Sequence, residues 1–441
     1  MRNSIGSRLK KAAIASEQLS DRDDGTQEPR SKVLSVHLNA VALLFYIVAS
    51  AGLGYLSWLL AARLMEPEEI GISAAAVSAA VLCSQLAVLG LASSIITFLP
   101  RELGNPAALL NGFFTIVVLS SVVFSGTFVL VAATFFDRLH ILGTNLPLAA
   151  SFISLAIATT VLLLLDDTSI AVRRADFALA RGVLAGVVKL LVIVVAWVAA
   201  LLSATVIVFA WVASMLSACL LGYVQLRKVF PGYRYRPQIS SRTARTALQN
   251  GLSNHALTLA KFAPSWVIPL IVTEALSPAE NAYWYGAWTI AFLVRFIPFA
   301  TAQASFAEIT NGAISLALGL RKSVWPTVLG SIIPTIVIII FADTILSVMG
   351  EEYADAGTTP LRLLALGIFA QIAFELYVVS RRVTMRLAEP NLVFLANAAA
   401  SIAAVLYGAS VGGLVGVAIG WIVVDAITGV WAARQVLRVI T

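Results

Sequence analysis

The sequence predicts an all-α, polytopic membrane protein with about twelve transmembrane helices. Three observations predict it. The 441 residues are 59% hydrophobic and only 12% charged, whereas a soluble domain carries about 25% charge. Apolar runs of the roughly 20 residues needed to cross a bilayer recur along the chain. The basic residues fall almost wholly on one side of the spans so defined. Little chain remains for a soluble catalytic domain, so enzymatic activity is not expected.

Residues 1–35 are polar and mixed in charge, with Asp21-Arg22-Asp23-Asp24-Gly25 among them, and read as a disordered cytoplasmic tail. No cleavable signal peptide is evident, because the first apolar run starts late and is long enough to span. The spans run over about 38–62, 70–99, 107–135, 147–169, 178–202, 204–226, 248–274, 281–308, 323–345, 360–380, 391–409 and 411–433. Turn signals separate them, among them Glu66-Pro67-Glu68-Glu69, Gly104-Asn105-Pro106, Glu389-Pro390-Asn391 and the tight Gly412-Gly413.

With both termini inside, twenty-four of the thirty Lys and Arg residues lie on the inner side, and only Arg63, Arg138 and Arg362 lie outside. The net charge of +7 therefore reads as the positive-inside rule and not as a nucleic-acid surface. Outer loops are short, and acidic where charged, as in Glu351-Glu352-Tyr353-Ala354-Asp355. The longest inner loop, 227–247, is basic and divides the chain into an N-terminal half, 36–226, and a C-terminal half, 248–441. The halves share a faint echo: Pro67-Glu68-Glu69 and Pro278-Ala279-Glu280 stand at the outer turn between the first two helices of each. Such duplication is the usual ground plan of a transporter.

The chemistry concentrates in the hairpin 249–310. Lys261 and Arg295 each sit deep in an apolar run, three residues before a proline, and equally far from the turn at Pro278. Folding the hairpin places them at one depth. A bare cation in hydrocarbon costs about 2.5–3.5 kcal/mol even on a lenient scale, so an anionic substrate is expected to compensate them. Asn250, Asn254, Thr258, Lys261 and Ser265 repeat at helical spacing and make one polar face, expected to line a hydrated path; packing against polar neighbours is the plainer alternative. Trp284, Trp288, Phe292, Arg295 and Phe299 repeat at the same steps. Aromatic faces stack on sugars, and an Arg fork suits phosphate; an ordinary aromatic core with an interfacial Trp284 is the alternative.

Lys189, in the fifth span, is the first half's counterpart of these cations. It either meets the substrate or pairs with an intramembrane acid, Glu375 or Asp425. Those two acids are themselves candidate sites for a coupling proton or sodium ion. Asp166 and Asp167, beside Arg173 and Arg174, read as interfacial salt bridges. The two cysteines and three histidines do not cluster, so no metal site is expected. No cofactor is called for, and no nucleotide-binding loop is present.

The run Gly54-Tyr55-Leu56-Ser57-Trp58-Leu59-Leu60-Ala61-Ala62-Arg63-Leu64-Met65-Glu66-Pro67-Glu68-Glu69-Ile70-Gly71 is followed by a small-residue helix ending Ile96-Thr97-Phe98-Leu99-Pro100-Arg101. Together they resemble the start of bacterial polysaccharide biosynthesis (O-antigen-type) flippases, within the multidrug/oligosaccharidyl-lipid/polysaccharide exporter superfamily. The resemblance implies two six-helix lobes around a central cavity, open alternately to each side of the bacterial inner membrane. It implies a polyprenyl-pyrophosphate-linked oligosaccharide as cargo, proton or sodium coupling, and contact with membrane lipids and other polysaccharide-assembly membrane proteins. The family has no strict binding motif to carry over, so Lys189, Lys261 and Arg295 are nominated by chemistry. A drug/cation antiporter is the runner-up, and it would want an anionic cavity. A glycan polymerase or ligase would want a large outer loop. A non-transporting scaffold would leave the buried cations without use.

Overall fold

The computed structural model describes residues 45–46, 49–102, 105–238 and 241–441, with 241–250 and 253 described by their backbone alone. Every regular element among them is helical. The helices are α1 over 49–64, α2 (Pro67–Ala87), α3 (Leu91–Phe98), α4 (Pro106–Phe135), the short α5 (Ile141–Thr144), α6 (Leu146–Ala171), α7 (Ala175–Val198) and α8 (Ala204–Val229). The second half holds α9 (Ser241–Ala275), α10 (Pro278–Thr310), α11 (Leu316–Ser347), α12 (Glu351–Leu366), α13 (Ile368–Val383) and α14 (Ala388–Ile440).

The helix starts follow from sequence. Proline opens α2, α4 and α10, where its missing N–H would have had no partner and its fixed φ suits the first turn. Side-chain oxygens cap others: Asn105 accepts from the Ala108 N–H, Asn145 from Leu148, Ser203 from Val206 and Ser277 from Glu280.

Among the described residues, ten helical stretches are long and apolar enough to cross a membrane, α12 and α13 counting together as one. The longest, α14, doubles back at Gly412 and Gly413, the latter at φ 55°. Its arms touch at Gly408 and Gly416, where a Cβ on either would strike the other's backbone. Counting both arms, and adding α1, the chain makes twelve crossings. It is an all-α multi-pass membrane protein.

Three details differ from the sequence reading. The second span is not one helix: Leu89 and Gly90 both take positive φ and split α2 from α3. Gly90 there meets Gly251 with no room for a Cβ on either, so the break sits where the halves touch. The stretch 351–355 is not a loop but the first turn of α12, which hands over to α13 at Gly367. Trp284 is not interfacial; it is 1% exposed and packs on Trp421.

The helices pack mainly within each half, and α2 and α3 of the first half meet α9 and α10 of the second. The echoed turns touch at this seam. Gly71 lies against the Pro278 backbone, and Asn281 Nδ2 donates to the Gly71 carbonyl at 2.8 Å. Close by, the Glu274 carboxylate accepts the backbone N–H groups of Asp137, Arg138 and Leu139. Arg63 donates to the carbonyls of Ser347 and Val348. The halves are thus tied at the end bearing the acidic turns.

Overfilling the crossing of the two α14 arms should destabilise the fold. Gly416→Leu is expected to cost roughly 1–3 kcal/mol, read as a lowered melting temperature in detergent. An unchanged melting temperature would mean the arms do not pack at this glycine pair.

Candidate functional site

A polar chamber of about 710 Å³ lies between α9, α10, α13 and the two arms of α14. α9 brings Lys261 and Ser265, α10 brings Arg295, α13 brings Gln371 and Glu375, and α14 brings Asn397, Trp421 and Asp425. Pro264 and Pro298 lie inside continuous helices, each removing a backbone bond one turn beyond its cation.

The charges form one chain of contacts. Lys261 Nζ lies 2.5 Å from Glu375 Oε1. Gln371 Nε2 donates to that same oxygen at 2.6 Å, and Gln371 Oε1 accepts from Arg295 at 2.9 Å. Arg295 reaches Asp425 Oδ2 at 3.5 Å, and Asn397 Nδ2 donates to Asp425 Oδ1 at 3.2 Å. The guanidinium also lies 5.4 Å from the Trp288 ring and 5.5 Å from the Trp421 ring. Two cations and two carboxylates thus cancel with no ligand present. This corrects the expectation that Lys261 and Arg295 stand bare: each has an acidic partner on another helix.

The same pairing corrects the reading of Lys189. Glu375 and Asp425 are taken by the second-half cations, and Lys189 has no carboxylate partner among the described residues. Its ammonium lies 4.2 Å over the Trp211 ring, and Trp211 stacks on Trp58 at 4.5 Å. It lines neither the chamber nor the cleft described next.

That cleft, of about 1270 Å³, lies between α1 and α2 of the first half and α9 and α10 of the second. Its walls are Tyr55, Trp58, Trp266, Tyr285 and Trp288, with the hydroxyls of Ser50, Ser78 and Thr289. Phe262, Ser265, Phe292 and Phe296 line both cleft and chamber, so the two adjoin. A further recess of about 850 Å³ meets the chamber at Lys261 and Glu375 and reaches Arg382. The Lys261–Glu375 pair is therefore a partition between two recesses.

Of the polar face expected on α9, Lys261 and Ser265 line the chamber, and Thr258 and Lys261 line the recess beyond it. Asn254 lines neither; its carbonyl accepts from Thr258 at 3.2 Å. The Asn250 side chain lies outside the described residues. Of the aromatic face on α10, Trp288 stacks on Trp421 at 4.7 Å and Phe292 on Trp288 at 5.3 Å. Asp166 is not an interfacial partner of Arg173 or Arg174. It holds the buried Arg181 at 2.6 Å and accepts from Tyr46 at 2.8 Å, while Arg174 pairs with Asp176.

Asn397 and Trp421 were not picked out by the sequence reading, although the signal existed. Asn397 and Asp425 lie equally far from residue 411, beside the Gly412-Gly413 turn, as Lys261 and Arg295 do from Pro278. Asn397, beside Asp425, leaves its Oδ1 without a hydrogen-bond partner among the described residues, as does the buried Ser401 Oγ one turn further along the same helix. Together these are oxygen donors of the kind a hard cation takes.

No family model and no curated protein matches the sequence. Solved structures do match in shape. An inward-facing multidrug-resistance MATE transporter of the MOP superfamily superposes with a TM-score of 0.68 at 13% identity, covering 91% of this chain and 98% of that one. The lipid II flippase MurJ, in an inward closed conformation, gives 0.70 at 14%, covering 91% and 90%. A MOP superfamily transporter from Pyrococcus furiosus, described as having a binding pocket of reverse polarity, gives 0.65 at 11%, covering 92% and 95%. The chain has the fold of these MOP superfamily transporters.

A buried ion pair that loses one partner leaves an uncompensated charge, at a cost of about 3–5 kcal/mol. Lys261→Met and Glu375→Leu should each lower the melting temperature in detergent, and the double variant should recover most of the loss. Additive losses in the double variant would show that the two side chains are not coupled.

Proposed function

We propose that this chain is a membrane flippase that moves a polyprenyl-pyrophosphate-linked oligosaccharide from the inner to the outer leaflet by alternating access. In this reading 36–226 and 248–441 are the two lobes, 227–247 is a basic cytoplasmic linker, and both termini face the cytoplasm of a bacterial inner membrane. The observation that carries it is the junction of a cation-bearing chamber with a wide aromatic cleft between the halves. A pyrophosphate wants Lys and Arg donors. A glycan wants ring faces and hydroxyls, which the cleft offers. The prenyl tail can stay in lipid.

Lys261 and Arg295 take the headgroup, Trp288 and Phe292 lie against its first sugar, and Glu375 and Asp425 stand in for the anion while the site is empty. Asp425, with Asn397 and Ser401, is the place for a coupling proton or sodium ion. Lys189 plays no part in headgroup binding in this arrangement, because Trp58 and Trp211 stand between it and the cleft. The likeness to MurJ and to MATE transporters supports the transporter reading through fold alone.

A second reading is a cation-coupled multidrug antiporter. The observation that favours it is the pair of carboxylates in the chamber, either of which could take a cationic drug in place of its present partner. The two readings differ in which charges the substrate needs.

The test is flipping of a fluorescent polyprenyl-pyrophosphate oligosaccharide in proteoliposomes. Lys261→Ala and Arg295→Ala, each checked for folding by gel filtration, are expected to slow it at least tenfold, and Arg295→Lys to slow it less. Flipping by wild type and both alanine variants alike would reject the site. Drug efflux by wild type without any flipping would favour the antiporter.

A further inference from the structure

One flank of the first half carries two adjoining recesses that the central site does not use. The first, of about 1080 Å³, lies between the start of α4 and the chain that leaves α8, and Asn111, Arg234, Arg236 and Gln238 line it. No carboxylate among the described residues lines it. The second, of about 800 Å³, is lined by Phe114, Val118, Val161, Leu165, Cys219 and Leu226, with Tyr223 and Tyr235 at its rim. Tyr233 lines both. One recess is basic, its neighbour is apolar, and a tyrosine stands at the boundary.

The basic recess is built by a strap. After α8 the chain turns at Pro231-Gly232 and runs without helix or strand over 233–238, laid along α4. Tyr233 donates to Asn111 Oδ1 at 2.9 Å, and Tyr235 pairs with Thr115 at 3.2 Å. Gln238 donates its N–H to Thr115 Oγ1 at 3.2 Å and its amide to the Ala108 carbonyl at 2.7 Å. Burial pushes the Tyr233 phenol well above its usual range, which keeps it a neutral donor. Tyr233 is buried against α4, whereas Arg234 and Arg236 are exposed.

Depth matches too. Val118 lies thirteen residues into the chain from the Asn105 cap, roughly 20 Å along a helix. One leaflet of hydrocarbon is about 15 Å deep. Much of that α4 length borders the basic recess, and the groove's own residues on α8, Cys219 to Leu226, span roughly 10 Å of axis, so the groove fits within a single leaflet below the recess.

We propose that the two recesses together bind one anionic phospholipid. Its phosphate sits between Arg234 and Arg236, and an acyl chain lies in the groove between Val118, Val161 and Cys219. Diffuse attraction of basic loops to an acidic leaflet, about 1 kcal/mol per residue, needs no groove and no pinned strap; both are present here. The strap begins the stretch of chain that leads from α8 towards α9, so the bound lipid fastens that stretch to the first half. This site does not depend on what the central chamber carries.

The test uses full-length protein in neutral detergent, titrated with phosphatidylglycerol or phosphatidylcholine and read by native mass spectrometry. Phosphatidylglycerol is expected to bind at least tenfold tighter. Arg234→Ala with Arg236→Ala should erase that preference, and Val118→Trp should weaken phosphatidylglycerol about tenfold. Arg321→Ala with Lys322→Ala, outside both recesses, should change neither, and glycerol 3-phosphate should not compete. If Val118→Trp lowers the melting temperature, Val161→Phe on the facing helix replaces it. Equal binding of the two lipids, no effect of filling the groove, equal loss in the Arg321/Lys322 variant, or competition by glycerol 3-phosphate would each overturn the proposal.

Discussion

The interaction on which the rest depends is the chain of contacts from Lys261 through Glu375, Gln371 and Arg295 to Asp425. Four ionised groups stand within the membrane-spanning helices, each of a kind that is costly there when alone. Their contacts tie α9, α10, α13 and the second arm of α14 at one depth. Packing is close around them: Trp288 and Trp421 enclose the guanidinium, and Trp284 backs Trp421. With one acid removed, a cation would be stranded. With both in place, the formal charges of the chamber balance.

That neutrality shapes how an anion could enter. A permanently bare pair of cations would hold a pyrophosphate too well to release it. On the proposed function, carboxylates that take the anion's place beside the cations would ease its departure. A dianion arriving at Lys261 and Arg295 would leave Glu375 and Asp425 without partners, unless a proton or a metal cation neutralised them. On the proposed function, cargo binding and ion binding would be linked at this one cluster; among the described residues Arg382 is a further charge, one recess away.

Much of the fold was legible because its signals are local. Apolar length gave the spans, and Pro or a capping Asn or Ser gave their starts. The breaks at Leu89-Gly90 and Gly367 were not legible, because each answers to packing on a partner helix or to a helix handover, and no local pattern marks that. Within the site, the hairpin about Pro278 paired the depths of Lys261 and Arg295, and both line one chamber. The same reasoning about Gly412-Gly413 would have brought Asn397 to Asp425. Which acid meets which cation was beyond reach: Lys261 and Glu375 are 114 residues apart, and only the packing of both α9 and α13 against α14 brings that pair together in place of Lys189.

The most direct measurement is the affinity of purified protein for farnesyl pyrophosphate, comparing wild type with Glu375→Gln. If Glu375 holds the place of the anion, the neutral amide frees Lys261, and binding should tighten about tenfold, or roughly 1.4 kcal/mol. Weaker binding in Glu375→Gln would contradict the account, since it would mean that Glu375 supports the ligand and does not compete with it.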